Sequence, residues 1–337
     1  MLFSSYIFIF IFLPLVLIGY FSFNRFYSDK DYGKWWLVLS SLFFYGYWHP
    51  AYLSIILSSI LVNYCLALKL QTMDFCPRKK AFFICGLLFN IGLLGYFKYR
   101  DFFIENVNFV FSTDYYFVKL ALPLGISFFT LQQLAYIIDV YEGGARGKRF
   151  VDYSLFVCFF PQLIAGPIVH YKEVMPQFEA KDNKRFNINS FNLGIYIFIL
   201  GLFKKVILAD TFSGWANEGF DHTEVHHFFS AWGTSLSYTM QLYFDFSGYS
   251  DMAIGLGHMF NIKIPKNFNS PFLARNIIDF WTRWHITLSQ FITTYIFTPI
   301  FRSFKNLNHK NSLIAAFLTM LIAGIWHGAG WTFVVYG

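Results

Sequence analysis

Charge is scarce in this sequence: Asp, Glu, Lys and Arg make up 13% of its 337 residues, whereas about 25% is usual for a soluble domain. So few charges cannot solvate the surface of a globule of this size, which excludes most soluble folds. The four cysteines show no paired CxxC spacing, so we predict neither a zinc site nor a disulfide framework. GxxxxGK[ST], GxGxxG and GxSxG are absent, which leaves nucleotide hydrolysis and elbow-type serine hydrolysis without support.

Apolar residues are abundant instead, at 56% of the chain, with 46 Phe, 22 Tyr and 9 Trp. This composition indicates that lipid is the solvent. The net charge is +7, but the basic residues are interleaved between apolar runs rather than gathered on one face, so no nucleic-acid partner is predicted. No Lys or Arg precedes the first apolar run, which therefore resembles a membrane helix more than a signal peptide.

Apolar runs that could cross a bilayer recur along the chain, although several are shorter than the roughly 20 residues that a helix needs. We expect an all-α, polytopic helical bundle in the membrane, with re-entrant segments and a central pocket. The candidate spans are Leu2–Phe23, Trp35–Trp48, Ala51–Leu68, Ala81–Phe97, Val118–Tyr141, Phe191–Ala209, Phe228–Phe246 and Leu313–Tyr336.

More than half of the 26 lysines and arginines fall in four loops between these runs. If those loops face the cytoplasm, the N-terminus lies outside. Counting Val151–Tyr171 as a crossing would put neighbouring basic segments in different compartments. Pro161, Gly166 and Pro167 would also break a helix there, so we predict a re-entrant dip. The basic residues of the four loops are Arg25, Lys30, Lys34, Lys69, Arg78, Lys79, Lys80, Arg146, Lys148, Arg149, Lys172, Lys181, Lys184 and Arg185.

Neither an internal repeat nor a soluble linker divides the chain, so residues 1–337 are predicted to form a single membrane domain. The last residues, Trp331–Gly337, are still apolar and carry no polar tail. We therefore expect further C-terminal helices in the whole protein. A bacterial cytoplasmic membrane is the expected location.

His327 lies between small residues in the last apolar run, Leu313–Tyr336. An ionisable group at membrane depth is costly unless it is paired or reaches water, which favours a functional role. The alternative is a histidine that hydrogen-bonds a neighbouring carbonyl, with the glycines serving helix packing. The glycines on either side, Gly324 and Gly328, favour the first interpretation, because they would leave room for a substrate beside the ring.

His285 follows a segment that resembles a helix start. Asn276 is a suitable N-cap and Asp279 falls in the first turn. Asp279 and Arg283 are spaced to pair, while Trp281 and His285 would share another helical face. An interfacial amphipathic helix explains the tryptophans equally well and does not require His285.

Asp245 and Asp251 stand among aromatic residues, where an unpaired carboxylate is costly. We expect both to be paired, with Arg275 or Arg283. An ion site, a structural ion pair and part of a catalytic pocket all remain open.

Two further groups have simpler explanations. Lys204 and Lys205 fit snorkelling to the membrane interface. In the polar loop Asp210–His227, His222 and His226 are one helical turn apart, but no HExxH order supports a metal site.

Several stretches together resemble the membrane-bound O-acyltransferases, and among them the bacterial branch that contains the alginate O-acetylation and teichoic-acid D-alanylation proteins. The order and spacing match from about Leu122 to the end. One departure from the alginate type is the absence of an Arg-Asp pair in Phe291–Tyr295. The matching stretches are Leu122–Thr130, Ile138–Tyr141, Leu163–Ile168, Gly201–Lys205, Asp245–Ala253, Asn267–Asn269, Phe280–His285 and Trp326–Ala329.

The resemblance implies transfer of an acyl group, most simply acetyl, from a cytoplasmic thioester to an extracytoplasmic polysaccharide hydroxyl. His327 matches the signature histidine of the family, which is buried between helices, and His285 matches its second polar position. In acyl transfer, His327 would be the base, and His285 or a nearby amide would orient the donor or stabilise the oxyanion. The supporting residues of the pocket would be Asp245, Asp251, Asn267, Arg283, Trp281 and Trp326.

No tightly bound cofactor or metal is expected; the donor would be acetyl-CoA or an acyl-carrier thioester. The expected partners are the polysaccharide acceptor, an extracytoplasmic acetyltransferase, an acyl-carrier protein and membrane lipids. An alternative of a different class is a transporter of acyl groups or ions that uses intramembrane carboxylates. Inverted repeats would favour transport, and the sequence shows none.

Overall fold

The computed structural model describes residues 1–27, 30–147, 149–221 and 227–337, and within these ranges the chain is helical, with no β-strand. The all-α prediction is confirmed. Short π-helical segments, Phe8–Phe12, Lys204–Ala209 and Thr293–Phe297, continue into α1, α10 and α14 respectively. The α-helices are α1 (Leu13–Phe26), α2 (Tyr32–Gly46), α3 (Tyr52–Thr72), α4 (Pro77–Phe111), α5 (Ile126–Tyr141), α6 (Phe150–Cys158), α7 (Phe160–Leu163), α8 (Tyr171–Glu179), α9 (Ile188–Phe203), α10 (Asp210–Asp221), α11 (Phe228–Met259), α12 (Ile277–Arg283), α13 (Ile286–Ile292), α14 (Thr298–Ser303), α15 (His309–His327) and α16 (Trp331–Tyr336).

Five described helical stretches are long and apolar enough to cross a bilayer. They are Phe8–Phe26, Tyr52–Thr72, Pro77–Phe111, Ile188–Asp221 and His309–His327. The 35 residues of α4 would extend over about 52 Å at 1.5 Å per residue, well beyond a hydrocarbon core of about 30 Å. The chain is therefore a multi-pass membrane protein.

Asparagine caps begin three of the helices that matter for the site. The Asn187 side chain accepts from the backbone N–H groups of Asn189 and Ser190 at the start of α9. Asn276 and Asn308 cap α12 and α15 in the same way. Because the first N–H groups of a helix have no partner within it, these short side chains set where each helix begins.

The chain forms two compact units. Unit 1 comprises Met1–Trp48 and Cys158–Thr287, and unit 2 comprises His49–Val157 and Leu288–Gly337. The prediction of a single functional domain stays a prediction.

Helices α9 and α11 of unit 1 approach each other through facing glycines. A Cβ on Gly194 would lie 2.6 Å from the carbonyl oxygen of Gly255, and one on Gly201 would lie 2.6 Å from that of Gly248. Gly194 and Gly201 are two helical turns apart, as are Gly248 and Gly255, so the backbones touch along one continuous line. In a membrane, where lipid is as apolar as leucine, such close packing drives helix association.

Unit 2 contains a buried polar network among α3, α4 and α5. The Asn63 amide donates to Asn90 (3.2 Å) and to Gln133 (3.0 Å), and the Asn90 amide donates back to Asn63 (2.6 Å). Gln133 in turn donates to Ser59 Oγ (2.9 Å). All four side chains are fully buried, and these hydrogen bonds satisfy polar groups that lipid could not.

The structure corrects several predicted spans. The run predicted as Val118–Tyr141 is helical only from Ile126. The run predicted as Leu313–Tyr336 is broken after His327, because α15 ends there and α16 begins at Trp331. Helix α11 extends beyond Phe246 to Met259, with a buried face rich in small residues.

The predicted loop Asp210–His227 is instead helical as far as Asp221, where the described residues stop before resuming at His227. The broken segment Val151–Tyr171 is almost wholly buried and contains all but the first residue of the nine-residue α6, followed by the four-residue α7. Helices this short do not span a bilayer. This geometry fits backbone that is tolerated at membrane depth because protein surrounds it.

Candidate functional site

His285 of unit 1 is fixed by the side chain of Asn267. The His285 ring is 5% exposed, and its Nδ1 lies 3.0 Å from Asn267 Oδ1. The backbone N–H of Thr287 (3.3 Å) and its hydroxyl (2.9 Å) donate to the same Asn267 oxygen. Because the Thr287 N–H can only donate, this atom is the amide oxygen, and His285 Nδ1 therefore carries the proton. A neutral His285 then presents Nε2 as an acceptor.

The backbone at His285 has a φ of +44°. A histidine in this left-handed region is uncommon and costs about 1–3 kcal/mol. The neighbouring contacts hold it there: the N–H of Ile286 donates to the Asn267 carbonyl oxygen (2.9 Å), and Phe246 packs edge-on against the imidazole at 4.7 Å between ring centroids.

Asn267 joins four of the stretches singled out in the sequence. Its amide donates to Ser250 Oγ (3.3 Å) in α11. Thr287, which donates to Asn267, accepts from the N–H of Ile168 (3.0 Å) in the loop after Pro167. Asn267 therefore lies at the centre of four matching stretches, which are Leu163–Ile168, Asp245–Ala253, Asn267–Asn269 and Phe280–His285.

The predicted cap and ion pair of α12 are present. Asn276 accepts from the N–H of Asp279 (2.9 Å), and Arg283 Nε donates to Asp279 Oδ1 (2.7 Å). The Arg283 hydrogen bond, with one from the Arg275 N–H, lowers the pKa of the Asp279 carboxyl. The predicted face shared by Trp281 and His285 is wrong, because α12 ends at Arg283 and Trp281 is 41% exposed.

Asp245 and Asp251 are paired, but not with the predicted arginines. Asp251 binds Lys204 at 2.6 Å and Asp245 binds Lys205 at 2.6 Å. Lys205 also contacts Asp210 at 3.1 Å. Lys204 and Lys205 thus neutralise acidic side chains of α11, and Lys205 also neutralises one of α10. Their snorkelling to the interface stays a prediction. The two lysines flank the contact between Gly201 and Gly248, where α9 and α11 meet.

His327 of unit 2 is the last residue of α15. Its ring packs beside Trp326 (5.0 Å between centroids) and against Tyr336 (5.8 Å), but the residue is exposed. The expected burial of His327 between helices is not seen in this chain. No described side chain hydrogen-bonds its imidazole, so both ring nitrogens remain available to a reactant.

The glycines around His327 serve packing rather than substrate access. A Cβ on Gly328 would lie 2.1 Å from the Phe333 ring. The space expected beside Gly328 is therefore filled by α16. Gly324 is likewise occupied, since a Cβ there would lie 2.6 Å from the backbone of Gly337.

Lys98 is a site residue that sequence reasoning missed. Its ammonium donates to the carbonyl oxygens of Trp326 and His327, the latter at 3.2 Å, at the C-terminal end of α15. The Tyr99 hydroxyl donates to the carbonyl oxygen of Ile325 (2.6 Å). A cation here satisfies carbonyls that lack helical partners and complements the helix dipole. A lysine directly after the uncharged apolar run Ala81–Phe97 of α4 was the available signal.

An apolar cavity of about 420 Å³ lies next to this helix end in unit 2. Trp326 and Tyr99 line it, together with aliphatic side chains of α4, α5 and α15 and with Tyr295. Tyr295 belongs to the stretch that lacks the Arg-Asp pair, and its hydroxyl donates to the buried Asp139 (2.8 Å). Trp326 thus lines an apolar cavity, while its predicted part in a catalytic pocket stays a prediction.

The predicted site residues therefore fall into two groups. Asp245, Asp251, Asn267, Trp281, Arg283 and His285 belong to unit 1, and Trp326 and His327 belong to unit 2. The stretch considered for metal binding, residues 222–226, lies outside the described residues. Elsewhere in the described chain, no group of three or more His, Cys, Asp or Glu side chains could hold a metal ion.

A polytopic helical protein with an available imidazole at a broken helix end and an apolar cavity beside it suits acyl-transfer chemistry at a membrane. The sequence model of the membrane-bound O-acyltransferase family matches residues 148–337. The chain belongs to this family of acyltransferases.

Two curated relatives are similar over the whole chain, and a third is similar over about two thirds of it. It is 47% identical to the peptidoglycan O-acetyltransferase of Helicobacter pylori, covering 100% of this chain and 68% of that protein. It is 35% identical to the probable alginate O-acetylase AlgI of Pseudomonas aeruginosa, with 100% and 64% covered. Similarity to the teichoic acid D-alanyltransferase of Bacillus subtilis is 30% over 64% of this chain. The chain thus spans about two thirds of the length of the O-acetylating relatives.

Proposed function

We propose that this protein acetylates hydroxyl groups of a cell-wall polysaccharide, with His327 as the general base. The observation that carries the proposal is the His327 imidazole at the end of α15, exposed and without a described hydrogen-bond partner. An imidazole that the protein has not already engaged can hydrogen-bond an incoming hydroxyl, which is the first requirement for a base.

The reaction conserves its proton. His327 takes the proton of the acceptor hydroxyl as the alkoxide oxygen attacks the thioester carbonyl. When the tetrahedral intermediate collapses, the carbon–sulfur bond breaks and the imidazolium returns the proton to the leaving thiolate. Imidazole is suited to both steps because its ordinary pKa lies near neutrality, so that the neutral ring can accept the proton and the imidazolium can return it.

Peptidoglycan is the acceptor that the comparisons favour. The relative named for peptidoglycan is 47% identical to this chain, compared with 35% for the relative named for alginate. Both names describe O-acetylation of a polysaccharide. An extracytoplasmic acetyltransferase that receives the acetyl group and completes the transfer fits the same proposal.

The donor in this proposal is a cytoplasmic thioester, either acetyl-CoA or an acyl-carrier protein. The protein would then sit in the cytoplasmic membrane with its N-terminus outside. The concentration of Lys and Arg in alternate loops supports this orientation. His285 would act as a positioning residue in unit 1, because its Nδ1–H already binds Asn267 and a neutral ring has no second N–H for an oxyanion.

The experiment compares two histidines of one helix. The full-length protein, His327→Ala and the control His309→Ala, which changes the exposed first residue of α15, are expressed in cells that lack their own copy. Ester-linked acetate is released from purified peptidoglycan by mild alkali and quantified, with membrane protein levels matched. We expect loss only in His327→Ala. Normal acetylation in that variant would refute the proposal.

The alternative of transport through intramembrane carboxylates is not favoured. Asp245 and Asp251 are held by Lys205 and Lys204 rather than left available to an ion. Uptake of acyl groups or ions that depended on Asp245 and survived His327→Ala would favour transport over acyl transfer.

A further inference from the structure

A second apolar cavity lies wholly within unit 1, and none of its lining residues belongs to the candidate site described above. It has a volume of about 630 Å³ and runs between the N-terminal helix (the π-helical turn and α1) and α9, with Met259 of α11 contributing. Ser22 is the single polar residue among those lining it. Its walls include Leu17, Phe198 and Leu202, so it suits a hydrocarbon chain rather than a polar ligand.

One end of this groove is built from three phenylalanine rings. Phe21 meets Phe186 edge-on at 5.4 Å between centroids, and Phe186 meets Phe191 at 5.3 Å. Phe21 lies near the end of α1, whereas Phe186 and Phe191 flank the start of α9. The C-terminal end of α11 meets them there, because Ser190 donates to the carbonyl oxygen of His258 (2.8 Å).

Basic side chains collect at the same end. Arg25 is about one helical turn beyond Phe21 in α1, and Lys184 and Arg185 directly precede Phe186. Asn261 holds this turn against the end of α11 by donating to the carbonyl oxygens of Asn183 (3.1 Å) and Arg185 (2.7 Å). The basic segment is thus a fixed part of the groove's mouth.

These cations are not neutralised within the described chain. Arg25 and Arg185 are exposed, Lys184 is half-buried, and none is paired with a described carboxylate. The exposed Asp182 is an acidic neighbour on the same turn, while Lys181 and Lys263 add further positive charge nearby. The mouth therefore carries a net positive charge beside an apolar groove.

We propose that this groove binds an acyl chain of an anionic phospholipid from the surrounding bilayer, with the lipid phosphate at Arg25, Lys184 and Arg185. Hydrocarbon in the groove and a phosphate at its mouth match the two chemistries that the site presents. Basic pockets between membrane helices are typical sites for anionic headgroups, and arginine binds phosphate with two parallel hydrogen bonds. The groove belongs to unit 1 and His327 to unit 2, and this proposal does not depend on the proposed acetylation.

The test measures lipid retention by the full-length protein. Protein exchanged into nanodiscs of equal parts phosphatidylglycerol and phosphatidylcholine is released into detergent, and bound lipids are counted by native mass spectrometry. We expect one retained phosphatidylglycerol and no retained phosphatidylcholine. Equal retention of the two lipids would overturn the proposal, and this outcome needs no variant.

Two variants then separate the headgroup from the chain. Arg25→Gln/Lys184→Gln/Arg185→Gln removes the cations, and Ile195→Trp fills the groove from α9. Each should lower phosphatidylglycerol retention by about ten-fold or more. The triple variant loses several cations that contribute additively to anionic-lipid binding, and the Trp variant loses the space for the acyl chain. The control, Lys69→Gln/Arg78→Gln/Lys80→Gln, removes three exposed cations of unit 2 and should retain the lipid.

The remaining outcomes are equally decisive. If another part of the full-length protein occupies the groove, the wild type retains no lipid and Ile195→Trp changes nothing, which refutes the proposal. If the triple variant loses no more lipid than the control, the basic mouth is not a headgroup site.

Discussion

The two candidate histidines occupy opposite kinds of environment. His285 in unit 1 is buried, engaged by Asn267 and held at a positive φ, whereas His327 in unit 2 ends a helix with its ring nitrogens unengaged by described side chains. A side chain that the fold already uses cannot move a proton without disturbing its partners. The difference supports the proposed roles, positioning for His285 and proton transfer for His327.

The largest expected effect is on catalysis. His327→Ala should lower the acetylation rate by at least about 100-fold, since a positioned general base contributes roughly 10²–10⁴, and should leave the melting temperature in detergent nearly unchanged. His285→Ala should lower the melting temperature as well as the rate. If His327→Ala and His285→Ala lowered the melting temperature equally, the proposed difference between the two histidines would be refuted.

The next prediction concerns the partner of His285. Asn267→Ala should destabilise unit 1 by about 2–3 kcal/mol, because three donors lose one buried acceptor oxygen. Denaturant titration of tryptophan fluorescence measures this loss. The nearby exposed Asn269 provides the control, and Asn269→Ala should change stability by less than about 0.5 kcal/mol.

A third prediction concerns Lys98, which contacts the helix end that carries His327. Lys98→Met should lower kcat about ten-fold with little change in KM for the donor, because the end of α15 loses the cation at its carbonyl groups. Lys98→Arg should restore part of the rate. Lys119→Met removes a 78% exposed lysine paired with Glu105 and should have no effect; an equal loss there would argue against a specific role for Lys98.

The ion pairs of unit 1 should matter less. A double-mutant cycle with Lys205→Met and Asp245→Asn should give a coupling energy of about 0.5–1 kcal/mol, because both side chains are partly exposed. Thermal unfolding in detergent is the measurement. A coupling several times larger would mean that this ion pair is shielded from water.

The smallest effect is the pH dependence of α12. The pKa of Asp279 is lower in the folded protein than in the unfolded chain, so its contribution to stability is present above the unfolded value of about 3.9 and is lost as pH falls through the folded value. Wild type and Asp279→Asn should therefore differ slightly in melting temperature at pH 6, and this difference should shrink as the pH falls below the unfolded value and the Asp279 carboxylate becomes protonated. A difference that grows toward low pH would contradict this sign.

Part of the site could be predicted from local sequence. The Asn276 cap and the Asp279–Arg283 pair need only helical spacing, and both are present. The prediction that Trp281 and His285 share a face was wrong because it assumed that the helix continues to His285. Instead α12 ends at Arg283, and His285 is held by Asn267, which is 18 residues away in the sequence. The partners of Asp245 and Asp251 were missed for the same reason: Lys205 and Lys204 reach them only because facing glycines bring α9 and α11 together.

The sequence by itself determined that this protein is embedded in a membrane and is helical. Charge is scarce, and in lipid the backbone N–H and C=O groups of long apolar runs are satisfied by hydrogen bonds within helices. Its motifs were also sufficient to identify an acyltransferase family. Only the tertiary structure decided that Lys98 caps the helix of His327 and that Asn267 gathers four separate stretches around His285. These roles depend on contacts between side chains that are far apart in the sequence, and a local pattern of residues does not specify such contacts.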